Sequence, residues 1–251
     1  MQLGVLRGVR IGGLYNQSQS YLKTLSDCPC KMNKLLLPVF AAIVASVTAF
    51  PALADEIKGN AENGAKINSL CIGCHGIIGY QASFPEIHKV PKISGQSAAF
   101  IVSALNAYKK GERKHPTMRG IAASLTDQNM ADLAAHYEAD GAVAGAALPA
   151  EATPGSAKAM ELVTKGTCTN CHGKNFSTPL PGYPKIAGQH SDYLFVALKA
   201  YKMENNPQVG RSNAVMGGMA KQFSNAELKE LAEYVGSLPT ELKTVPQKKF
   251  K

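Results

Sequence analysis

The sequence contains no tryptophan and only six cysteines, and aromatic residues make up 7% of its 251 positions. Six cysteines in a chain of this length are too few for a small fold that depends on dense disulfides. Charged residues are also scarce, at 18%, although a net charge of +9 shows that basic residues predominate. The composition excludes a collagen, a coiled coil and a wholly disordered chain. The spacing of the cysteines is therefore more informative than their number.

The longest apolar run lies near the beginning of the chain, at residues 35–50. A short basic segment precedes it and an Ala-x-Ala-like site follows it, which is the order of a secretory signal peptide. We predict a signal peptide at residues 32–54 that is cleaved after Ala54; an uncleaved membrane anchor is the alternative. Residues 1–31 show no apolar periodicity, and a signal peptide should begin at the start of translation, so we expect synthesis to start at Met32. The mature product is then an exported soluble protein without the first two cysteines.

Two segments of the mature chain repeat each other. Residues 91–108 match residues 184–201 without a gap, and nine of the eighteen positions are identical. A segment rich in Ala, Gly and Pro separates the two copies and is typical of a linker. The predicted organisation is a tandem duplication, with one domain at 55–140, a linker at 141–154, a second domain at 155–238 and a basic tail at 239–251.

Each copy shows the same order of three predicted helices. The first two helices are predicted at 60–69 and 97–110, and again at 156–165 and 190–203. The third begins at Thr126 and at Ser224, where polar residues of the first turn resemble an N-terminal cap. Its apolar residues follow the spacing of one buried helical face: Met130, Leu133, Ala134 and Tyr137 in the first copy, and Leu228, Leu231, Ala232 and Val235 in the second. No convincing strand pattern occurs, so the predicted fold class is all-α.

The sequence Cys-x-x-Cys-His, the attachment signature of haem c, occurs once in each copy. Two thiols one helical turn apart form thioethers with the haem vinyl groups, and the adjacent imidazole is directed at the iron. Zinc would require two more ligands at each site, and a disulfide would not explain the histidines. We therefore predict two covalently bound haems c. Their attachment residues are Cys71 and Cys74 with His75 as iron ligand, and Cys168 and Cys171 with His172 as iron ligand.

Methionine is expected on the other face of each iron, because a thioether ligand suits an electron-transfer haem and raises its potential. Met118 and Met216 lie 43 and 44 residues after the two histidines, and they coincide when the third helices are aligned. Met219 then aligns with an isoleucine and is interpreted as a core residue. His88 and His115 are alternative ligands in the first copy, although neither has a counterpart in the second.

These motifs resemble the cytochrome c4 family of di-haem class I cytochromes c, over essentially all of residues 55–238. The resemblance implies two tandem class I cytochrome c domains, each wrapped around its haem, with the haem propionates near a shared interface. It also implies that the carbonyls of Pro91 and Pro184 accept a hydrogen bond from the proximal imidazoles. Residues 111–113 have no equivalent directly after the second copy's Tyr201, so no identical role is expected for Arg113.

A haem with histidine and methionine ligands has no open coordination position, so the predicted function is electron transfer rather than catalysis. The resemblance implies a periplasmic carrier between a quinol-oxidising complex of the bc1 type and a terminal cytochrome c oxidase, including the cbb3 type, or another exported reductase. A loose association with the inner membrane is compatible with this role. A di-haem subunit of a larger dehydrogenase such as a flavocytochrome is the alternative function, and a di-haem peroxidase is a weaker one.

The basic residues are unevenly placed. Residues 55–140 contain nine basic and nine acidic residues, whereas residues 151–251 contain 13 and 8, so the excess belongs to the second domain and its tail. Nucleic-acid binding has little support, because the cluster after the second helix lacks interleaved aromatics. This cluster, interpreted either as a solvated helix end or as a docking rim for an acidic partner, comprises Lys109, Lys110, Arg113 and Lys114.

Overall fold

The structure is a computed structural model that describes residues 57–141 and 147–246. The predicted signal peptide and the residues before it lie outside the described residues, as do residues 142–146 of the predicted linker and the last five residues of the chain. Among the described helices, none is long and apolar enough to cross a membrane.

Helices form most of both domains. The first domain contains α1 (Ala61–Ile67), α2 (Ser69–His75), α3 (Ala98–Lys110), α4 (Pro116–Ala123) and α5 (Asp127–Asp140). The second contains α6 (Ala157–Lys165), α7 (Thr169–His172), α8 (Ser191–Lys202), α9 (Ala214–Lys221) and α10 (Asn225–Ser237). The described residues also form four strands of two residues each: β1 (Gln81–Ala82), β2 (His88–Lys89), β3 (Arg113–Lys114) and β4 (Gly210–Arg211). The predicted helical class is confirmed; the strands were not predicted because two residues are too few to show an alternating pattern.

The third helix of each domain begins at a capping box. Thr126 and Ser224 accept hydrogen bonds from backbone N–H groups three residues later, and the side chains of Asn129 and Glu227 accept from the capping residues' backbone N–H groups. Each such N-cap stabilises a helix by roughly 1 kcal/mol. The eight apolar positions predicted for these helices are all buried, and several of them border the cavity described below.

Helix α1 packs against α5 at a contact that requires glycine. A Cβ atom added to Gly64 would lie 2.1 Å from the carbonyl oxygen of Asp132, and one added to Gly59 would lie 2.2 Å from that of Ala131. The contact is fixed by Asn60, whose backbone N–H donates to Asp132 Oδ1 at 2.7 Å. The absence of side chains at Gly64 in α1 and at Gly59 just before it thus lets this part of the backbone touch that of α5.

We expect Gly64→Ala to destabilise the protein by about 1–3 kcal/mol, because the added methyl group must push α1 away from α5. The free energy of unfolding of the haem-loaded protein, measured by guanidinium titration, checks this. Ala65→Leu on the exposed side of α1 is the control and should change it by less than about 0.5 kcal/mol. Equal effects of the two substitutions would contradict the close packing of the helices.

The two domains share a short antiparallel ladder in which Arg113 of β3 pairs with Arg211 of β4. The residues after α10 also join the domains, because the backbone N–H of Lys243 donates to the carbonyl of Ser94 at 2.9 Å. Leu242 beside it is only 2% exposed. The described part of the predicted basic tail is therefore packed against the first domain.

Candidate functional site

Both Cys-x-x-Cys-His sequences lie on helical turns. Cys71, Cys74 and His75 belong to α2, whereas Cys168 precedes α7 as its N-terminal cap. All four cysteines of the described residues are free thiols. Burial raises the pKa of the Cys71 and Cys168 thiols, so both are protonated in the protein without haem. Helical spacing places the two sulfur atoms of each motif on the same side of the turn.

Each histidine of these motifs has one ring nitrogen engaged by a backbone carbonyl. His75 Nδ1 lies 2.8 Å from the carbonyl oxygen of Pro91, and His172 Nδ1 lies 3.0 Å from that of Pro184. Because a carbonyl can only accept, Nδ1 carries the proton and Nε2 is the nitrogen available to a metal. Burial lowers the pKa of both imidazoles, which favours the neutral form that binds iron.

One continuous cavity of ≈ 750 Å³ lies beside both motifs. Its walls are mainly apolar side chains from α3, α5, α8 and α10, and they include the two predicted distal ligands, Met118 and Met216. Both cysteine pairs and both motif histidines line it too. The structure therefore brings every residue predicted to attach or ligate a haem to a single interior space.

The two methionines occupy the same position in their helices. In α4 the backbone N–H of Met118 donates to the capping side chain of His115 at 3.4 Å, and in α9 that of Met216 donates to Asn213 at 2.9 Å. Met219, the alternative in the second domain, also lines the cavity, but its sulfur lies 3.7 Å from the Gln222 amide nitrogen. The shared capping register favours Met216 as the partner of Met118.

The two alternative histidines of the first domain also line the cavity, but each has a structural role. His115 is the N-cap of α4, and its ring packs edge-on against Phe84 with the centroids 5.8 Å apart. His88 is 5% exposed and its Nδ1 lies 2.8 Å from the Glu86 carbonyl oxygen. Asn213 replaces His115 in the second domain, which agrees with a capping role rather than ligation.

Arg113 has a counterpart that the sequence comparison missed. Its guanidinium lies 4.8 Å from the centre of the Tyr108 ring, and Arg211 lies 5.3 Å from that of Tyr201. The second domain has five additional residues between the tyrosine and the arginine, so a comparison without gaps does not align them. The expectation that Arg113 has no identical role in the second domain is therefore wrong, because Arg211 lies over the corresponding tyrosine.

The two guanidinium groups meet at the hydroxyl of Tyr193, at 3.4 Å from Arg113 and 3.1 Å from Arg211. Burial opposes ionisation of Tyr193, but the two positive charges outweigh it and lower its pKa to about 8. Among the described residues, no carboxylate pairs with either arginine, and Arg113 Nε is buried without a hydrogen-bond partner. A buried cationic pair of this kind on a cavity wall favours the binding of anionic oxygen atoms.

This cavity fits a haem on three grounds. Its donor set consists of paired thiols, neutral imidazoles and thioethers; its walls are apolar; and its two arginines match the carboxylates that haem carries. The hydroxyl of Tyr137 is buried beside the Cys71 thiol and has no oxygen or nitrogen partner in the described part of the chain. The same side chain borders the cavity.

Two of the four residues in the predicted docking rim are turned toward the second domain. Lys114 Nζ donates to the carbonyl of Asn206 at 2.6 Å, and Arg113 lies at the inter-domain cluster with Tyr193. Lys109 and Lys110 are exposed at the end of α3. Arg113 and Lys114 are therefore interface residues rather than part of a docking rim.

Known proteins share this architecture. The cytochrome c family profile matches residues 61–137 and 156–239, one match for each domain. A cytochrome c4 of Thiocapsa roseopersicina is 30% identical over 202 residues, which cover 76% of this chain and 96% of that relative. A thiosulfate dehydrogenase electron acceptor of Stutzerimonas stutzeri strain A1501 is 30% identical over 210 residues, which cover 79% and 92%. The crystal structure of reduced recombinant cytochrome c4 from Pseudomonas stutzeri aligns with a TM-score of 0.55 at 28% identity, covering 72% of this chain and all of that one.

Proposed function

Since the chain belongs to the cytochrome c4 family and carries two covalently bound haems c, we propose that it transfers single electrons between exported redox proteins. When bound, haem c supplies a reversible Fe(II)/Fe(III) couple. The observation that supports this function best is the placement of Met118 and Met216 on the same cavity as the two proximal histidines. With a nitrogen and a sulfur ligand at each iron, no coordination position is left for a substrate.

The role of each site residue follows from the donor set. Thioether bonds would form at Cys71 and Cys74 in the first domain and at Cys168 and Cys171 in the second. His75 and Met118 would hold one iron and His172 and Met216 the other. Pro91 and Pro184 would orient the two imidazoles through their carbonyl oxygens. The apolar walls exclude water, which reduces the reorganisation that accompanies electron transfer.

The proposed route runs from a bc1-type quinol-oxidising complex to a terminal cytochrome c oxidase, including the cbb3 type, or to another exported reductase. Export by the predicted signal peptide at 32–54 would place the carrier in the periplasm, where it could associate loosely with the inner membrane. A second candidate donor is an exported dehydrogenase, because relatives at 30% and 23% identity are thiosulfate dehydrogenase electron acceptors. Co-purification of such a dehydrogenase would favour this donor.

Visible and near-infrared spectra of the oxidised protein test the proposed function. We expect low-spin, sulfur-ligated signals from two haems, of which Met118→Ala removes one and Met216→Ala removes the other. Met219→Ala is the matched control, because the proposed ligand set leaves its sulfur off the iron, and it should retain both signals. High-spin iron in the unaltered protein would exclude a simple carrier and favour a haem with an open position.

A further inference from the structure

The peptide groups that follow Pro91 and Pro184 are hydrogen-bonded at both ends. In the second domain, the carbonyl oxygen of Pro184 accepts from His172 Nδ1 at 3.0 Å. The N–H of the same peptide group belongs to Lys185, and it donates to the side-chain oxygen of Gln96 at 2.9 Å. Gln96 lies in the first domain. A single peptide group therefore connects a proximal histidine to a side chain of the other domain.

The same arrangement occurs in the opposite direction. The carbonyl oxygen of Pro91 accepts from His75 Nδ1 at 2.8 Å, and the Lys92 N–H donates to the side-chain oxygen of Gln189 at 2.9 Å. Gln189 lies in the second domain and occupies the position of Gln96 in the repeat. The two connections are thus reciprocal, and each histidine is linked to the glutamine of the partner domain.

Both glutamine side chains are held in a fixed orientation. Gln96 Nε2 donates to the Lys185 carbonyl and Gln189 Nε2 donates to the Lys92 carbonyl, at 2.9 and 2.8 Å. Each glutamine is only 4% exposed. Hydrogen bonds in such a buried environment are stronger than in water and polarise one another along a chain.

The residue before each glutamine is a glycine that lies against the chain segment after α10. Gly95 and Gly188 have φ angles of +87° and +60°, in the left-handed region that favours glycine. An added Cβ would lie 2.7 Å from the Glu241 carbonyl oxygen at Gly95, and 2.4 Å from the Thr240 side chain at Gly188. Gly95 therefore packs against the segment that follows α10 in the other domain, whereas Gly188 packs against the same segment within its own domain.

We propose that Gln96 and Gln189 are positioning residues, each of which tunes the haem of the other domain through the peptide group between glutamine and proximal histidine. A glutamine oxygen that accepts from the peptide N–H makes the carbonyl of that peptide a better acceptor. The carbonyl then draws the Nδ1 proton more strongly, which makes Nε2 a more electron-rich iron ligand. A more basic ligand stabilises Fe(III), so each glutamine lowers the reduction potential of the haem in the opposite domain.

This inference depends on the proposed ligation of iron by His75 and His172. It predicts that a substitution in one domain changes the potential of the haem in the other domain. Gln96→Leu removes an acceptor from the first domain but should raise the potential of the second haem. Gln189→Leu should raise the potential of the first haem. In each protein the haem of the domain that carries the substitution should keep its potential.

A redox titration followed by NMR measures the two potentials separately in the full haem-loaded protein. The haem signals are assigned by their loss in the Met118→Ala and Met216→Ala proteins. Asp192→Asn is the matched control, because it removes the inter-domain ion pair between Asp192 and Lys89 without touching either peptide group. This control should not selectively raise the potential of the haem in the opposite domain.

Gln96→Glu provides a second variant in case the leucine protein loads haem poorly. Its carboxylate still accepts from the Lys185 N–H, so the second haem should have the unaltered potential or a lower one. A rise in the potential of the second haem would overturn the proposal. So would a leucine variant that shifts the potentials of both haems equally, shifts the potential of the haem in its own domain, or lowers only the thermal stability. If the unaltered protein lacks two sulfur-ligated low-spin haems, the proposed function fails; if it has them and the crossed shift is absent, this inference alone fails.

Discussion

A chain in which Cys168 and Cys171 are both replaced by serine is expected to retain one haem and to lose the folded structure of its second domain. An empty cavity costs roughly 24 cal/mol per Å³, so half of the ≈ 750 Å³ cavity corresponds to about 9 kcal/mol. That is comparable with the whole free energy of unfolding of a typical domain, roughly 5–15 kcal/mol. The packed faces of α8 and α10 would then have no partner on the cavity side.

Haem content and far-UV circular dichroism check this expectation. The serine variant should bind one haem per chain and lose about half of its helical signal. Serine substitutions at Cys71 and Cys74 form the reciprocal control and should unfold the first domain instead. A one-haem protein with the full helical signal would mean that the domain core is complete without its haem, contrary to the cavity in the structure.

The second large effect is expected from Arg211→Gln, which should lower the reduction potential of the protein. The guanidinium faces the cavity and forms no pair with a carboxylate of the described residues, so its positive charge favours the reduced, less positive iron. At an effective dielectric constant near 20, losing one charge within about 10 Å changes the reduction free energy by on the order of 1–2 kcal/mol. This corresponds to about a five- to thirtyfold smaller equilibrium constant for reduction.

Spectroelectrochemical titration at constant ionic strength measures this change. Arg119→Gln removes the same charge from an exposed position of α4 and should have little effect, because solvent screens it. Arg211→Lys should restore part of the potential, since it keeps the charge but loses the planar guanidinium. Similar losses in the Arg211→Gln and Arg119→Gln proteins would show that only net charge matters.

Local patterns accounted for much of the fold. The capping residues Thr126 and Ser224 and the buried faces that follow them were predictable, because a helix start and a helix face are encoded within a few turns of chain. The capped turns that carry Met118 and Met216 were not predicted as helices. Each spans eight residues, which is too short for a clear apolar period.

Length differences between the copies concealed part of the site. Pro91 follows its histidine by 16 residues and Pro184 follows its own by 12, whereas the interval from tyrosine to arginine is five residues longer in the second domain. The two differences have opposite signs, so the interval from histidine to methionine is nearly the same in both domains. The methionines could therefore be aligned from the sequence, while the equivalence of Arg113 and Arg211 needed the strand pairing.

By itself, the sequence determined the duplicated helical domain and the two Cys-x-x-Cys-His attachment motifs, and it predicted two late methionines as ligands. Each of these depends on a short motif, a repeat or a helical period. Tertiary structure alone decided how the domains meet. It placed Gln96 on the Lys185 peptide, Gln189 on the Lys92 peptide and two arginines at one tyrosine hydroxyl. The glutamine contacts join residues 89 and 97 positions apart, and no local pattern encodes such a pairing. They form only when two packed domains bring their repeated segments face to face.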